Sequence, residues 1–76
     1  MTEYRVFSER RYDRESGEYE AFGVAAVESD EVVISVRDIS DDRDKVCALA
    51  ALFNEERLSP LHLENVVEDF LYDQKV

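Results

Sequence analysis

The first half of the chain has the hydrophobic pattern of strands. Glu18–Glu28 (EYEAFGVAAVE) and Glu31–Arg37 (EVVISVR) are rich in β-branched and aromatic residues, which favours β-structure. Glu3–Asp13 mixes similar residues with charges and is predicted as a further strand. Ser16-Gly17 and Ser29-Asp30 separate the three segments and are predicted as two-residue turns. The pattern therefore predicts a three-stranded antiparallel meander with strands at about 3–13, 18–28 and 31–37.

The second half has helical spacing and predicts two amphipathic helices. The first is predicted at about 41–56, with Ser40 as its N-cap and an apolar stripe of Val46, Leu49, Ala50 and Phe53. The second is predicted at about 60–73, with Ser59 as N-cap, Pro60 at the first position and an apolar face of Leu63, Val66, Val67, Phe70 and Leu71. A short link makes the two helices an antiparallel pair that covers one sheet face. We therefore expect one α+β domain over residues 1–76, in the order βββαα.

The two predicted turns also assign residues to the two faces of the sheet, since they pair Val6 with Val27 and Ala25 with Ile34. One face, expected beneath the helices, then collects Tyr4, Val6, Tyr12, Ala21, Gly23, Ala25, Val27, Val32, Ile34 and Val36. The other carries an apolar patch with a rim of arginine and glutamate, formed by Phe7, Phe22, Val24 and Val33. Because an apolar centre with a charged rim is typical of interfaces, these four residues are the candidate protein-interface residues. The alternative is a one-layer sheet that tolerates a few exposed apolar groups.

Charge narrows the classes of partner. Nine basic and nineteen acidic residues give a net charge of −10, spread along the whole chain. Such a polyanion disfavours nucleic acid and anionic membrane as partners and permits a basic protein partner. The hydrophobic content of 45% is too high for a disordered chain.

The cellular compartment is predicted from cysteine usage and from apolar runs. The single cysteine, Cys47, excludes an intramolecular disulfide, which a secreted domain of this size usually needs. No basic and apolar leader opens the sequence, and the longest apolar run, Val46–Phe53, is far shorter than the roughly 20 residues that span a bilayer. We expect a cytoplasmic protein.

No motif in the chain predicts a catalytic site, a metal site or a cofactor. The acidic run Asp38–Asp44 has oxygens at alternate positions, as in a calcium loop, but Arg43 stands where that loop requires glycine. Helix capping and complementation of the helix dipole explain the run better. His62 shares a helix edge with acidic residues, and a solvated histidine is the simpler interpretation. Cys47 lies in an apolar run with acids upstream, which favours a small buried hydrophobe over a nucleophile.

Several stretches carry a resemblance to known proteins. They are Tyr19–Val24, the helix start at Asp38–Ser40, and Leu58–Leu63 followed by Val66–Leu71. Together they resemble a family of short bacterial proteins, mainly from Gram-positive anaerobes, that is described as a domain of unknown function. The resemblance implies a bacterial cytoplasmic protein and no particular activity. It also draws attention to His62, Glu68 and Asp69 without giving them a role.

The leading functional hypothesis is a small non-enzymatic protein-interaction or accessory module. Its partner would be another protein or a second copy of the chain. One alternative is a hydrolase-type enzyme that uses His62 with Asp69 or Glu68. Another is an acidic DNA mimic, which would need carboxylates in a stripe at phosphate-like spacing.

Overall fold

The computed structural model describes residues 2–74, except the side chains of residues 73 and 74. The elements in chain order are β1 (Glu3–Asp13), β2 (Gly17–Glu28), β3 (Glu31–Ser40), α1 (Arg43–Glu56), a 3₁₀ turn (Pro60–His62) and α2 (Leu63–Gln74). The strands form one antiparallel sheet in the order β1-β2-β3, and both helices contact it. The predicted α+β class, the order βββαα and the central position of the second strand are confirmed.

The turn between β1 and β2 is longer than predicted. Asp13 pairs with Gly17, so three residues, 14–16, form the turn. The Asp13 carboxylate accepts a hydrogen bond from the backbone N–H of Glu15 at 3.0 Å. Gly17 follows with φ of 78°, a conformation that glycine adopts without a Cβ clash. The prediction of a two-residue Ser16-Gly17 turn is therefore wrong.

This longer turn changes the register and turns β2 over relative to β1. Val6 pairs with Val24, whereas two-residue turns would pair it with Val27. The shift is an odd number of residues, so the two faces of β2 exchange places. On the other side of β2, Val27 pairs with Val32 as predicted, but an irregularity beside Ala26 shifts the pairing that follows. Both neighbours of β2 keep their predicted inner faces, and β2 alone is inverted.

The turn between β2 and β3 is a two-residue turn, as predicted. Glu28 pairs with Glu31, and the two residues between them, Ser29 and Asp30, have φ of 51° and 65°. Positive φ at both central positions is the signature of the type I′ turn, which fits the twist of a hairpin.

β3 contains a bulge that carries it beyond its predicted end at residue 37. The register of β3 shifts between Val36 and Ser40, and Asp38 inside this interval has φ of 53°. Aspartate tolerates this left-handed conformation better than most residues. The neighbouring Ile39 points into the core and is 5% exposed.

The core lies between the sheet and the two helices. α1 lies mainly over β1 and β2, whereas α2 contacts β3. The buried residues of the core cluster are Tyr4, Phe22, Val24, Ala26, Ile39, Val46, Leu49, Ala50, Phe53, Leu63 and Val67. The inverted β2 thus turns Phe22 and Val24 toward the helices, while its small residues Ala21, Gly23 and Ala25 occupy the opposite face. The assignment of Phe22 and Val24 to the uncovered face is wrong for this reason.

α1 begins two residues later than its predicted cap requires. Its N-cap is Asp42, whose carboxylate accepts hydrogen bonds from the backbone N–H of Asp44 at 3.0 Å and of Lys45 at 3.4 Å. Ser40 still belongs to β3, and its hydroxyl accepts a hydrogen bond from the Asp42 N–H at 3.0 Å. Ser40 is therefore not the N-cap, but the capping role predicted for the acidic run is confirmed at Asp42.

The second helical segment begins as predicted. Ser59 is the N-cap, its hydroxyl accepts a hydrogen bond from the Leu61 N–H at 3.4 Å, and Pro60 occupies the first position. The first turn, Pro60–His62, is a 3₁₀ turn that leads directly into α2 at Leu63. This tight turn leaves Leu61 on the outside, where it is 88% exposed.

A side chain from α1 closes part of the outer edge of β1. The Tyr4 N–H donates to the Asn54 amide oxygen at 2.7 Å, and the Asn54 amide nitrogen donates to the Tyr4 carbonyl at 3.0 Å. The Asn54 amide thus bonds to Tyr4 as the peptide group of a neighbouring strand would. The Tyr4 hydroxyl also donates to the Leu58 carbonyl at 2.5 Å, and its ring meets Phe53 edge to face at 5.4 Å.

Candidate functional site

The four residues predicted as an interface are divided between the two sides of the sheet. Phe22 and Val24 are 8% and 0% exposed and belong to the core cluster. Phe7 is half-buried on the uncovered face, and Val33 near the β2–β3 turn is 50% exposed. The predicted continuous patch is therefore not formed. Whether Phe7 and Val33 contact a partner stays a prediction.

Side chains of the sheet itself close over its uncovered face. The Phe7 ring lies over Gly23, where an added Cβ would meet Phe7 Cζ at 2.6 Å. Beside it, Glu9 of β1 reaches across β2 and accepts hydrogen bonds from Arg37 Nε at 2.9 Å and Nη2 at 2.6 Å. Ala21, which pairs with Glu9 in the register, is fully buried. This face is a closed polar and aromatic surface.

The charges on this face are paired with one another. The hydrogen bond from Arg37 holds the pKa of the Glu9 carboxyl below its ordinary value, burial opposes this, and the positive charges of Arg37 and Arg11 reinforce it. The same hydrogen bond raises the pKa of Arg37. Arg11 lies 3.6 Å from Glu9 and 3.5 Å from Asp38, whose carboxylate also accepts a hydrogen bond from Tyr19. Each charge already has an opposite partner, so the network serves to order the face.

A groove lies between β3 and the segment formed by the 3₁₀ turn and α2, and we call it the β3–α2 groove. One stretch of about 430 Å³ is lined by Val33, Ile34, Pro60, Leu61, Glu64 and Asn65. A second stretch of about 310 Å³ is lined by Ser35, Val36, Arg37, Glu64, Val67, Glu68 and Leu71. The two stretches share Glu64. Residues from both faces of β3 line the groove, so it runs along the edge of the strand.

The mouth of the β3–α2 groove is apolar and open to solvent. Leu61 and Val33, which both line the first stretch, are 88% and 50% exposed. Inside the groove, Glu64 and Glu68 carry negative charge and are exposed. Arg37 also lines the groove, and its guanidinium is bound to Glu9 on the uncovered face of the sheet. The groove therefore combines apolar contact surface with negative charge, and within the described part of the chain neither Glu64 nor Glu68 forms a salt bridge.

A smaller concave surface lies between the two helices. It has a volume of about 280 Å³ and is lined by Lys45, Ala48, Leu49, Leu52 and Phe70. Leu52 on its rim is 49% exposed. Unlike the β3–α2 groove, it presents side chains only and no strand edge.

Within the described part of the chain, the His62 side chain forms no hydrogen bond or ion pair with Glu68 or Asp69. His62 is exposed in the 3₁₀ turn, and Glu68 and Asp69 are exposed on α2. Asp69 follows His62 by seven residues, so at a helical rise of about 1.5 Å per residue their backbones lie roughly 10 Å apart. Cys47 is partly buried in α1. Among the described residues, no group of three or more His, Cys, Asp and Glu side chains could hold a metal ion.

Neither helix within residues 2–74 combines the length and the apolar composition needed to cross a membrane.

The β3–α2 groove was not predicted, because it forms between two elements, β3 and α2, that are separated along the chain by α1 and the 3₁₀ turn. The nearest local signal was Leu61. This residue falls outside the apolar face of the second helix, yet it is a large aliphatic residue directly after the Ser59-Pro60 start. A single exposed aliphatic residue is common on protein surfaces, so Leu61 alone did not indicate a groove.

Comparison with known proteins identifies the family and no more. The model of DUF6514, a family of unknown function, matches residues 1–73. No protein with a curated description and no solved structure matches the chain. Because the match spans almost the whole sequence, the chain belongs to the DUF6514 family.

Proposed function

We propose that the chain is a small non-enzymatic protein-interaction module that docks its partner in the β3–α2 groove. The observation that carries this proposal is the exposure of two apolar residues that line the groove, Leu61 at 88% and Val33 at 50%. Apolar side chains gathered at the mouth of a concave surface are the usual core of a protein contact. The predicted function as an interaction module is retained in this proposal, but the interface lies at the edge of β3 and not on the uncovered face of the sheet.

The character of the groove favours a protein partner over a small molecule. A small-molecule site buries most of its ligand among enclosing side chains. Here the lining residues Val33 and Leu61 stand half or more in solvent. The two adjoining stretches that share Glu64 form a long shallow surface, which fits a polypeptide segment.

The setting that we propose is the bacterial cytoplasm. One cysteine in 76 residues suits a reducing compartment, and the resemblance noted in the sequence implies a bacterial source. No observation favours the hydrolase hypothesis at His62 or the DNA-mimic hypothesis, and both stay hypotheses.

Site-specific photo-crosslinking in the source organism tests the proposal. A photoreactive phenylalanine analogue replaces Leu61 in one variant and Tyr12 in a control variant. Tyr12 is similarly apolar and exposed, at 73%, but lies beside the β1–β2 turn at the opposite end of the sheet. We expect a specific protein adduct from position 61 and none from position 12. Equal adducts at both positions, or none at either, would contradict the proposal.

The same experiment separates a foreign partner from a second copy of the chain. A crosslinked species of twice the chain mass would identify self-association through the groove. Sedimentation velocity of the wild-type protein and of Leu61→Ser over a concentration series checks that result in solution, since only a groove-mediated dimer would dissociate on the substitution.

A further inference from the structure

The outer edge of β3 is available for pairing, whereas the outer edge of β1 is partly closed. Within residues 2–74, β3 pairs with β2 alone and stands at the end of the sheet. On β1, by contrast, both backbone groups of Tyr4 are bonded to the Asn54 amide. An edge strand with unpaired N–H and C=O groups is a template for another extended chain. The structure thus protects one edge of its sheet near Tyr4 and leaves the other beside a groove.

We propose that an extended, basic peptide segment of a partner protein adds to β3 as a fourth strand and lies in the β3–α2 groove. This inference rests on the proposed function, and it adds the mode of docking and the chemistry of the partner. Ile34 and Val36 of β3 form one wall, and Val67 of α2 forms the other. Strand addition beside a helix takes its affinity from backbone hydrogen bonds and its specificity from alternate side chains.

The volume and the apolar surface of the groove suit a short strand. The two stretches, of about 430 and 310 Å³, each fall in the range of roughly 300–1,000 Å³ that is usual for ligand sites. Successive side chains of a bound strand point to opposite sides. One set would lie on the uncovered side of the sheet beside the half-exposed Val33, so it should be aliphatic or aromatic. The other set would face Leu61, Glu64 and Glu68 on the helical side.

Charge complementarity determines the other set of side chains. Glu64 lines both stretches and Glu68 lines the second. Arg37, which lines the second stretch with them, directs its hydrogen bonds to Glu9 at 2.6 Å, and neither glutamate forms a salt bridge within residues 2–74. Lysine or arginine in the incoming strand would supply the missing positive charge. A second copy of the chain carries a net charge of −10 itself, so a basic partner is the better occupant.

Selection from a displayed library of random twelve-residue peptides on the immobilised full chain tests the inference. We expect the enriched peptides to alternate apolar residues with lysine or arginine. The best peptide is then synthesised in three forms, unmodified and N-methylated at either of the two alternating sets of residues. Only alternate residues of an added strand direct their backbone N–H groups toward β3. N-methylation of that set removes the donors and should lower the affinity at least about tenfold, whereas N-methylation of the other set should leave the affinity unchanged. NMR should place the amide shifts in β3 and α2.

Charge variants complete the test. The double variant Glu64→Gln, Glu68→Gln should weaken the unmodified peptide about three- to tenfold. The matched control, Glu55→Gln with Glu56→Gln, removes two exposed acids at the end of α1 and should leave affinity unchanged.

Different results overturn the two proposals separately. A peptide that binds in the groove with equal affinity in both methylated forms contradicts strand addition and leaves the groove as a docking site. Acidic enriched peptides, or no enriched peptide at all, contradict the basic-strand inference, and crosslinking at position 61 then decides the proposed function alone. Peptides whose affinity is unchanged by Leu61→Ser contradict docking in the groove altogether.

Discussion

The ring of Phe7 fills the place of a side chain on Gly23. The two residues pair across β1 and β2, and an added Cβ on Gly23 would lie 2.6 Å from Phe7 Cζ and 2.9 Å from Phe7 Cε1. It would also press against the backbone oxygen of Val36 on the other neighbouring strand. A glycine in the central strand thus lets an aromatic ring from one edge strand cover the sheet where no helix does.

Gly23→Ala should therefore destabilise the fold. The Phe7 ring must leave its packed position to make room, and the Val36 carbonyl belongs to the strand backbone and cannot move without disturbing the ladder. We expect a loss of about 1–3 kcal/mol in the free energy of unfolding, the usual range for overpacking. Urea denaturation followed by circular dichroism measures it. In a Phe7→Ala background the same substitution should cost less, and an equal cost in both backgrounds would show that the ring contact is unimportant.

Asn54 should matter for stability although it lies on an exposed part of α1. Asn54→Ala leaves the N–H and C=O of Tyr4 without their partner, so we expect a loss of about 1–3 kcal/mol. Asn65→Ala is the matched control, because Asn65 is an exposed helical asparagine with no side-chain hydrogen bond in the described part of the chain. Hydrogen exchange should also become faster at the Tyr4 amide in the first variant only. Similar stability of the two variants would argue against Asn54 as an edge cover.

The Glu9–Arg37 pair should make the free energy of unfolding depend on pH in the acidic range. The pKa of Glu9 is lowered in the folded protein from 4.5, so its stabilisation is present above pH 4.5 and is lost as the pH falls through the lower folded value. Glu9→Gln should reduce the melting temperature at pH 7, and its difference from wild type should shrink below pH 4.5. Glu15→Gln in the β1–β2 turn, which has no ion pair within residues 2–74, is the control. A difference that is constant from pH 7 to pH 2 would contradict this assignment.

The element order was predictable because each segment carries its own local pattern. The β-branched run at Glu31–Arg37, the Ser59-Pro60 helix start and the Ser29-Asp30 turn depend on neighbours within a few residues. Their physical causes are steric preference, capping and positive φ, which a short stretch of sequence expresses directly.

The faces of β2 were not predictable by the same means. Nearly every residue from Ala21 to Val27 is small or apolar, so the strand lacks the alternation that would indicate its inner side. Its orientation depends on one extra residue in the β1–β2 turn and on a bulge beside Ala26. The candidate groove depends in turn on how α2 lies along β3, which is a tertiary relationship that Leu61 alone does not indicate.

The inverted β2 leads to opposite expectations for Phe22 and Val33, which were predicted to share one exposed patch. Phe22 is 8% exposed in the core and Val33 is 50% exposed at the strand edge. Phe22→Asp removes a buried ring, which alone costs about 3–5 kcal/mol, and adds an unpaired buried charge. Since domains are stable by only about 5–15 kcal/mol, we expect this variant to be largely unfolded.

Val33→Asp should stay folded, because a substitution at a half-exposed position costs about 1 kcal/mol or less. Circular dichroism and urea denaturation of the two variants at pH 7 compare them directly, with sedimentation to detect association. If Phe22→Asp folds normally and only its association state changes, Phe22 belongs to an exposed face and the register of β2 described above is incorrect. If both variants unfold, the edge of β3 is more tightly packed than its exposure indicates, and strand addition at that edge loses its physical basis.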